Sequence, residues 1–131
     1  MSNDKAFGNV IYSYTRAQAI ADGVLIDVTD TAKAHGFKVP TVITDNLYHR
    51  YVEVPTGLDG GFGQSRAGRL HDLLTLALFA ARSSKGADRV YFKVDFLMEP
   101  GRTETVQVIA HIGPGDDGVI PVLTIMLPED D

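Results

Sequence analysis

Two alternating runs separated by a sharp turn constrain this chain more than any other feature. Val90, Phe92, Val94, Phe96 and Met98 alternate with Tyr91, Lys93, Asp95 and Leu97. After the turn, Val106, Val108, Ala110 and Ile112 alternate with Gln107, Ile109 and His111. Successive side chains on a strand point to opposite faces, so each run is a strand with one apolar face. Pro100-Gly101 between them marks a hairpin. Directly paired residues share a face. A loop of Pro100-Gly101 alone would set inward Phe96 opposite outward Thr105. One loop residue more or less repairs the mismatch, so the expected solution is an odd-numbered loop with a bulge at Gly101. One such register pairs Phe96 with Val106, Val94 with Val108 and Phe92 with Ala110. A second turn, Gly113-Pro114-Gly115-Asp116-Asp117-Gly118, leads into residues 119–127. That run is apolar at nearly every position, which predicts a strand covered on both faces or central in the sheet.

A three-stranded antiparallel meander with one apolar face needs a cover, and the preceding segment supplies one. Leu70, Leu73, Leu74, Ala77, Leu78 and Ala81 fall on one stripe of a helix. The other side begins polar with Arg69 and Asp72 and then turns apolar with Leu76 and Phe79, which predicts a second half buried nearly all round. The fold class is therefore α+β: the C-terminal meander plus one or two N-terminal strands, packed on a central buried helix of about residues 66–82 and on short N-terminal helices.

The N-terminal part is written in shorter units. Residues 10–14 read as a strand. Thr15-Arg16-Ala17-Gln18 then fits a capping box, in which the Thr and Gln side chains satisfy free helix N–H groups. Gly23 ends that helix. Residues 24–28 form a candidate second strand, and Thr29 or Asp30 caps a short helix that stops at Gly36. Pro40 marks a break, and Thr44 caps a helix over residues 45–52. Pro55, Gly57, Gly60, Gly61 and Gly63 make residues 55–65 a loop.

All of this fits one domain of 131 residues, with 1–9 and 129–131 expected to be loose. Apolar residues make up 44% and charged residues 22%, the composition of a packed domain rather than a disordered chain. The net charge of -5 works against direct binding of nucleic acid, whose phosphates need clustered Lys and Arg. The absence of cysteine excludes disulfides, Cys-ligated zinc, iron–sulfur clusters and a thiol nucleophile. Neither a signal-like N-terminus nor a membrane-spanning apolar run is present, so the expected location is the cytoplasm, with no membrane partner. His35, His49, His71 and His111 show no ligand spacing, and the expectation is no metal and no cofactor.

Three groups of residues are candidates for a site. Tyr12, Tyr14 and Arg16 sit at a strand–cap–helix junction that resembles the first motif of ADP-ribosyltransferases, in which a His, Arg or Tyr and a nearby Thr or Ser face the nicotinamide cofactor. Glu104 is the candidate for that family's glutamate. Arg66, Arg69 and His71 begin the central helix just after the glycine-rich loop, where exposed N–H groups can hold an anion. Tyr91, Lys93, Ile109 and His111 share the outer sheet face, where an aromatic, an exposed aliphatic and charges suit a modest protein interface. The carboxylates of Asp116 and Asp117 are read as turn residues satisfying local backbone donors.

The whole chain resembles a family of small proteins carried by bacterial plasmids and integrative elements and known only as a domain of unknown function. The resemblance rests on residues 10–20 with Asp22-Gly23-Val24-Leu25, on Ala34-His35-Gly36-Phe37, and on Gly68-Arg69-Leu70 through Ala81-Arg82. It continues in residues 113–118 and in Thr124-Ile125-Met126-Leu127-Pro128. Residues 44–64 depart from it, because the tryptophan expected there is missing. The resemblance implies accessory work for a mobile element. The functional expectation is an accessory protein that binds a protein partner in defence, counter-defence or transfer. The alternative is an ADP-ribosyltransferase-like or other nucleotide-acting enzyme. The oligomeric state is left open.

Overall fold

The computed structural model describes residues 14–58 and 62–131. The strand expected at 10–14 lies outside the described residues except for Tyr14, which is not in a strand. Helix α1 (Arg16–Ala21) starts with the capping box read from the sequence: the Thr15 side chain accepts from Gln18 N, and Gln18 returns a bond to Thr15 N. Gly23 leaves the helix at φ 79°, a conformation that favours glycine. Strand β1 (Leu25–Asp27), helix α2 (Thr29–Ala34) and strand β2 (Thr41–Thr44) follow. Helix α3 (Asp45–Leu47) widens into a π-helical turn over Tyr48–Val52 and is capped by Thr44. A 3-10 turn (Thr56–Leu58) precedes the long helix α4 (Arg66–Ser83). Strands β3 (Arg89–Glu99), β4 (Arg102–Pro114) and β5 (Pro121–Met126) complete the sheet.

Among the described residues five strands lie in the order β1-β2-β5-β4-β3. All neighbours are antiparallel except β2 and β5, whose parallel pairing joins the N-terminal β1–β2 pair to the C-terminal meander. The nearly all-apolar character of β5 is explained by its central place. Helix α4 covers one face. Its Leu73, Leu74 and Ala77 are buried with Val94, Phe96, Val106, Val108, Ala110, Leu123 and Ile125 of the sheet in one core. The alternation in β3 and β4 therefore does set an inner and an outer face.

Four expectations need correction, and strand β2 is an element that the sequence pattern did not announce. Its four residues are all buried, because it lies inside the sheet between β1 and β5. The hairpin loop is Pro100-Gly101 alone, with Glu99 opposite Arg102. The register slip falls between Leu97 and Glu99, so Met98 is the extra residue. That bulge restores face matching before the turn, and Val94 pairs with Val106 and Phe92 with Val108. The second half of α4 is not buried all round: Leu76 is 37% and Phe79 65% exposed. Its mirror case is Arg69, expected on the polar side and in fact buried. Finally, Val119 and Ile120 precede β5 rather than belonging to it.

Candidate functional site

The face of the sheet opposite α4 carries a polar corner where α1 meets the end of β4 and the start of β5. The Arg16 guanidinium reaches over the sheet. It donates to Thr124 Oγ1 (3.4 Å), the Leu123 carbonyl (3.4 Å) and the Pro40 carbonyl (3.2 Å). These bonds are long, and all the acceptors are neutral. Partial burial pulls the Arg16 pKa down, and the charges of Asp27 and Asp116 partly offset that. Thr124 pairs with His111 across β5 and β4, so His111 joins the corner. Arg16, Leu25, His111, Asp116, Val122 and Thr124 line a cavity of about 250 Å³. Gly113 leaves room for the imidazole: a Cβ there would come within 2.9 Å of His111 Cε1.

Asp116 is tied to α1 from a distant part of the chain. Its carboxylate accepts from Arg16 N (2.7 Å) and Ala17 N (3.1 Å), two amides of the first helical turn that the helix itself leaves unbonded. Asp117 acts locally, accepting from Val119 N and Ile120 N, both at 2.9 Å. Those bonds hold its carboxyl below the usual aspartate pKa. Gly115 N donates to the Ile120 carbonyl and Gly118 N to the Gly115 carbonyl. A Cβ on Gly115 would meet Val122 at 3.0 Å and the Ile120 carbonyl oxygen at 3.1 Å, so the loop closes tightly over a glycine. The product is a braced loop with two aliphatic side chains facing water: Val119 is 79% and Ile120 56% exposed.

The other candidates are dispersed. Tyr12 lies outside the described residues. Tyr14 is exposed, and its hydroxyl donates to Asp22 Oδ2 (2.8 Å), a bond that raises its pKa. Glu104 is seven positions from His111 along β4, roughly 23 Å at the strand rise. It accepts a hydrogen bond from the buried Tyr51 rather than facing Arg16.

Arg66 is exposed in the first turn of α4, but Arg69 does not face a ligand. It donates to the Tyr51 carbonyl (2.7 Å), the Leu97 carbonyl (2.8 Å) and Gln64 Oε1 (2.9 Å). Its guanidinium also lies over the Phe96 ring, which stacks on Tyr51, and the Arg50 guanidinium lies over the Tyr51 ring. Arg69 thus ties α4 to the π-helical turn and to the bulged end of β3. His71 Nδ1 lies 2.7 Å from His35 Nε2, joining α4 to the end of α2. His35 Nδ1 faces the Thr31 carbonyl (2.8 Å) and must carry a proton to bond it. In the neutral pair, His35 Nε2 therefore accepts from His71 Nδ1–H. Sequence patterning could not find this contact, because no local spacing joins residues 35 and 71.

Tyr91 and Lys93 are exposed on β3, but Ile109, expected outward and accessible, is only 3% exposed. It does point to the outer face; there it sits between its paired neighbours Tyr91 and Met126, well inside the sheet. The proposed sheet-face patch is thereby split, with His111 belonging to the Arg16 corner. A more apolar cavity of about 210 Å³ opens between α4 and the sheet. Apart from Ser84 and Asp88 it offers no polar side chain, so the Arg16 corner is the better place for a polar ligand. Among the described residues, no three His, Asp or Glu side chains converge on a possible metal position. No described helix is long and apolar enough to cross a membrane.

No curated protein and no solved structure matches the chain. The model of one family, described as "Family of unknown function (DUF6573)", matches residues 1–131. With that match running over the full length, the chain belongs to this family of unknown function.

Proposed function

We propose that this protein works by binding a protein partner, with the turn between β4 and β5 as its anchor. The observation that carries this reading is the exposure of Val119 and Ile120 on a loop already braced by Asp117 and Gly115. Apolar side chains on a backbone that is already fixed add no loop-ordering cost when a partner covers them, so more of the burial energy becomes affinity. The finer reading is an accessory protein of a mobile genetic element, acting in the cytoplasm on a host or element-encoded protein in defence, counter-defence or transfer. Its support is the sequence resemblance to plasmid and integrative-element proteins. The test is capture from host lysate with the wild-type chain and with Val119→Asp/Ile120→Asp. A specific partner, identified by mass spectrometry and lost with the variant, is the expected result. A partner retained equally by the variant contradicts the anchor.

One observation favours a second reading, a nucleotide-acting enzyme. The Arg16–His111–Thr124 corner presents a guanidinium, an imidazole and a hydroxyl to a cavity of about 250 Å³. That set suits an anionic group such as a phosphate. NAD cleavage or ADP-ribose transfer that disappears in a folded Arg16→Ala variant would establish this reading over pure binding.

A further inference from the structure

Strand β3 ends the sheet, and among the described residues no strand pairs with its outer edge. It is also long, at 11 residues. Backbone groups of successive strand residues point to opposite edges. The Asp88 carbonyl bonds Ile112 N of β4, whereas the Leu97 carbonyl points away and is taken by Arg69. Between these two markers, the N–H and C=O groups of Val90, Phe92, Val94 and Phe96 face β4. Those of Tyr91, Lys93 and Asp95 face the open edge.

We propose that this edge is the interface of a homodimer, in which two β3 strands pair antiparallel about a two-fold axis through Val94 and the two sheets become one. The sequence of β3 has mirrored character around Val94: a positive charge on one side, a negative one on the other, and bulky apolar residues beyond both. In this register Lys93 lies opposite Asp95 of the second copy and Phe92 opposite Phe96, and the ladder ends at Leu97, whose carbonyl Arg69 already takes. Lys93 and Asp95 both direct their backbone groups to the open edge, so the pairs that match in charge also exchange backbone hydrogen bonds. A slip by two residues in either direction sets Lys93 opposite Lys93 or Asp95 opposite Asp95, and like charges directly opposite are unfavourable. Charges on an edge strand ordinarily block pairing with foreign strands. Here a second copy in this register meets each of them with its opposite.

A second feature lies on the same side. Arg69, Asp72, Leu76 and Phe79 form one stripe of α4. Arg69 of this stripe reaches the Leu97 edge carbonyl, so the stripe borders the open edge. The opposite flank of α4 meets α2 through His71 and His35. The exposed Leu76 and Phe79 therefore flank the open edge, and the two-fold axis brings the corresponding pair of the second copy to face them.

The interface is distinct from the β4–β5 turn, so failure of either leaves the other standing. Sedimentation equilibrium over the micromolar range reads it directly. The wild-type chain is expected to be a dimer. Lys93→Asp sets like charges opposite at two symmetric positions and should raise the dissociation constant roughly tenfold or more. The charge swap Lys93→Asp/Asp95→Lys should bring it back to within about threefold of wild type, the range such imperfectly additive pairs allow. A wild-type monomer at every concentration overturns the proposal. So does a dimer indifferent to Lys93→Asp, or a folded swap variant that does not recover.

Discussion

The meander turns twice, and the two turns are built differently. Between β3 and β4 the chain reverses through Pro100-Gly101, with Gly101 at φ 79° and a surface ion pair of Glu99 with Arg102 (2.6 Å) flanking it. Between β4 and β5 it uses residues 115–120, whose two carboxylates, internal backbone bonds and outward aliphatics exceed what reversal requires. The short turn shows that this sheet can be closed with two residues. The long one fastens α1 to the sheet through Asp116 and keeps Val119 and Ile120 in water. Apolar exposure that the fold does not need, supported by bonds that fix it, is the reason for reading the second turn as a binding element.

Both turns hang on one core, and Leu74→Ala measures that common foundation. Leu74 is fully buried against the sheet, and its truncation should cost about 2–5 kcal/mol in chemical denaturation. A loss at the level of a surface substitution would mean that α4 does not hold the sheet in the way described. The next effect separates the turns. Asp116→Ala leaves two amides of α1 without their acceptor and should cost about 1 kcal/mol, the usual value of a helix cap. Glu99→Ala, which breaks only an exposed ion pair, should cost less than about 0.5 kcal/mol. Equal losses would erase the distinction between a fastening turn and a simple one.

Much of the fold could be read from the chain because the signals were local. The Thr15–Gln18 capping box, the left-handed Gly23, the core stripe of α4 and the alternation of β3 and β4 each reside within a few consecutive residues. The site was less legible. Asp116 reads as a turn residue, and nothing near it announces that it caps a helix about 100 positions earlier. Arg69 lies where the helical pattern looks polar, yet the outer edge of β3 and the end of the turn at Tyr48–Val52 leave the Leu97 and Tyr51 carbonyls free for a guanidinium. Strand β2 has no alternation to read, since both its faces are covered. Val119 and Ile120 look like the start of an apolar strand; only the loop hydrogen bonds show that they stay outside it.

A smaller effect probes the brace itself. Asp117 accepts two amide protons when ionised, which lowers its pKa in the folded state. Its contribution is therefore complete above the ordinary aspartate range and is lost as the pH falls through the lowered folded value. By NMR, the Val119 and Ile120 amide shifts should titrate together, below the range of an unperturbed aspartate. Titration at or above that range would mean the brace is absent in solution.

The most direct test of the central claim compares the two turns as binding surfaces. Once a partner is captured, its affinity is measured by titration calorimetry for the wild type, for Val119→Asp/Ile120→Asp and for Arg102→Ser. Removing two apolar anchors should weaken binding by about a hundredfold or more, with the melting temperature nearly unchanged because both side chains are exposed. Arg102→Ser should bind as the wild type does. Equal affinity in all three chains, or loss only with Arg102→Ser, would contradict the account.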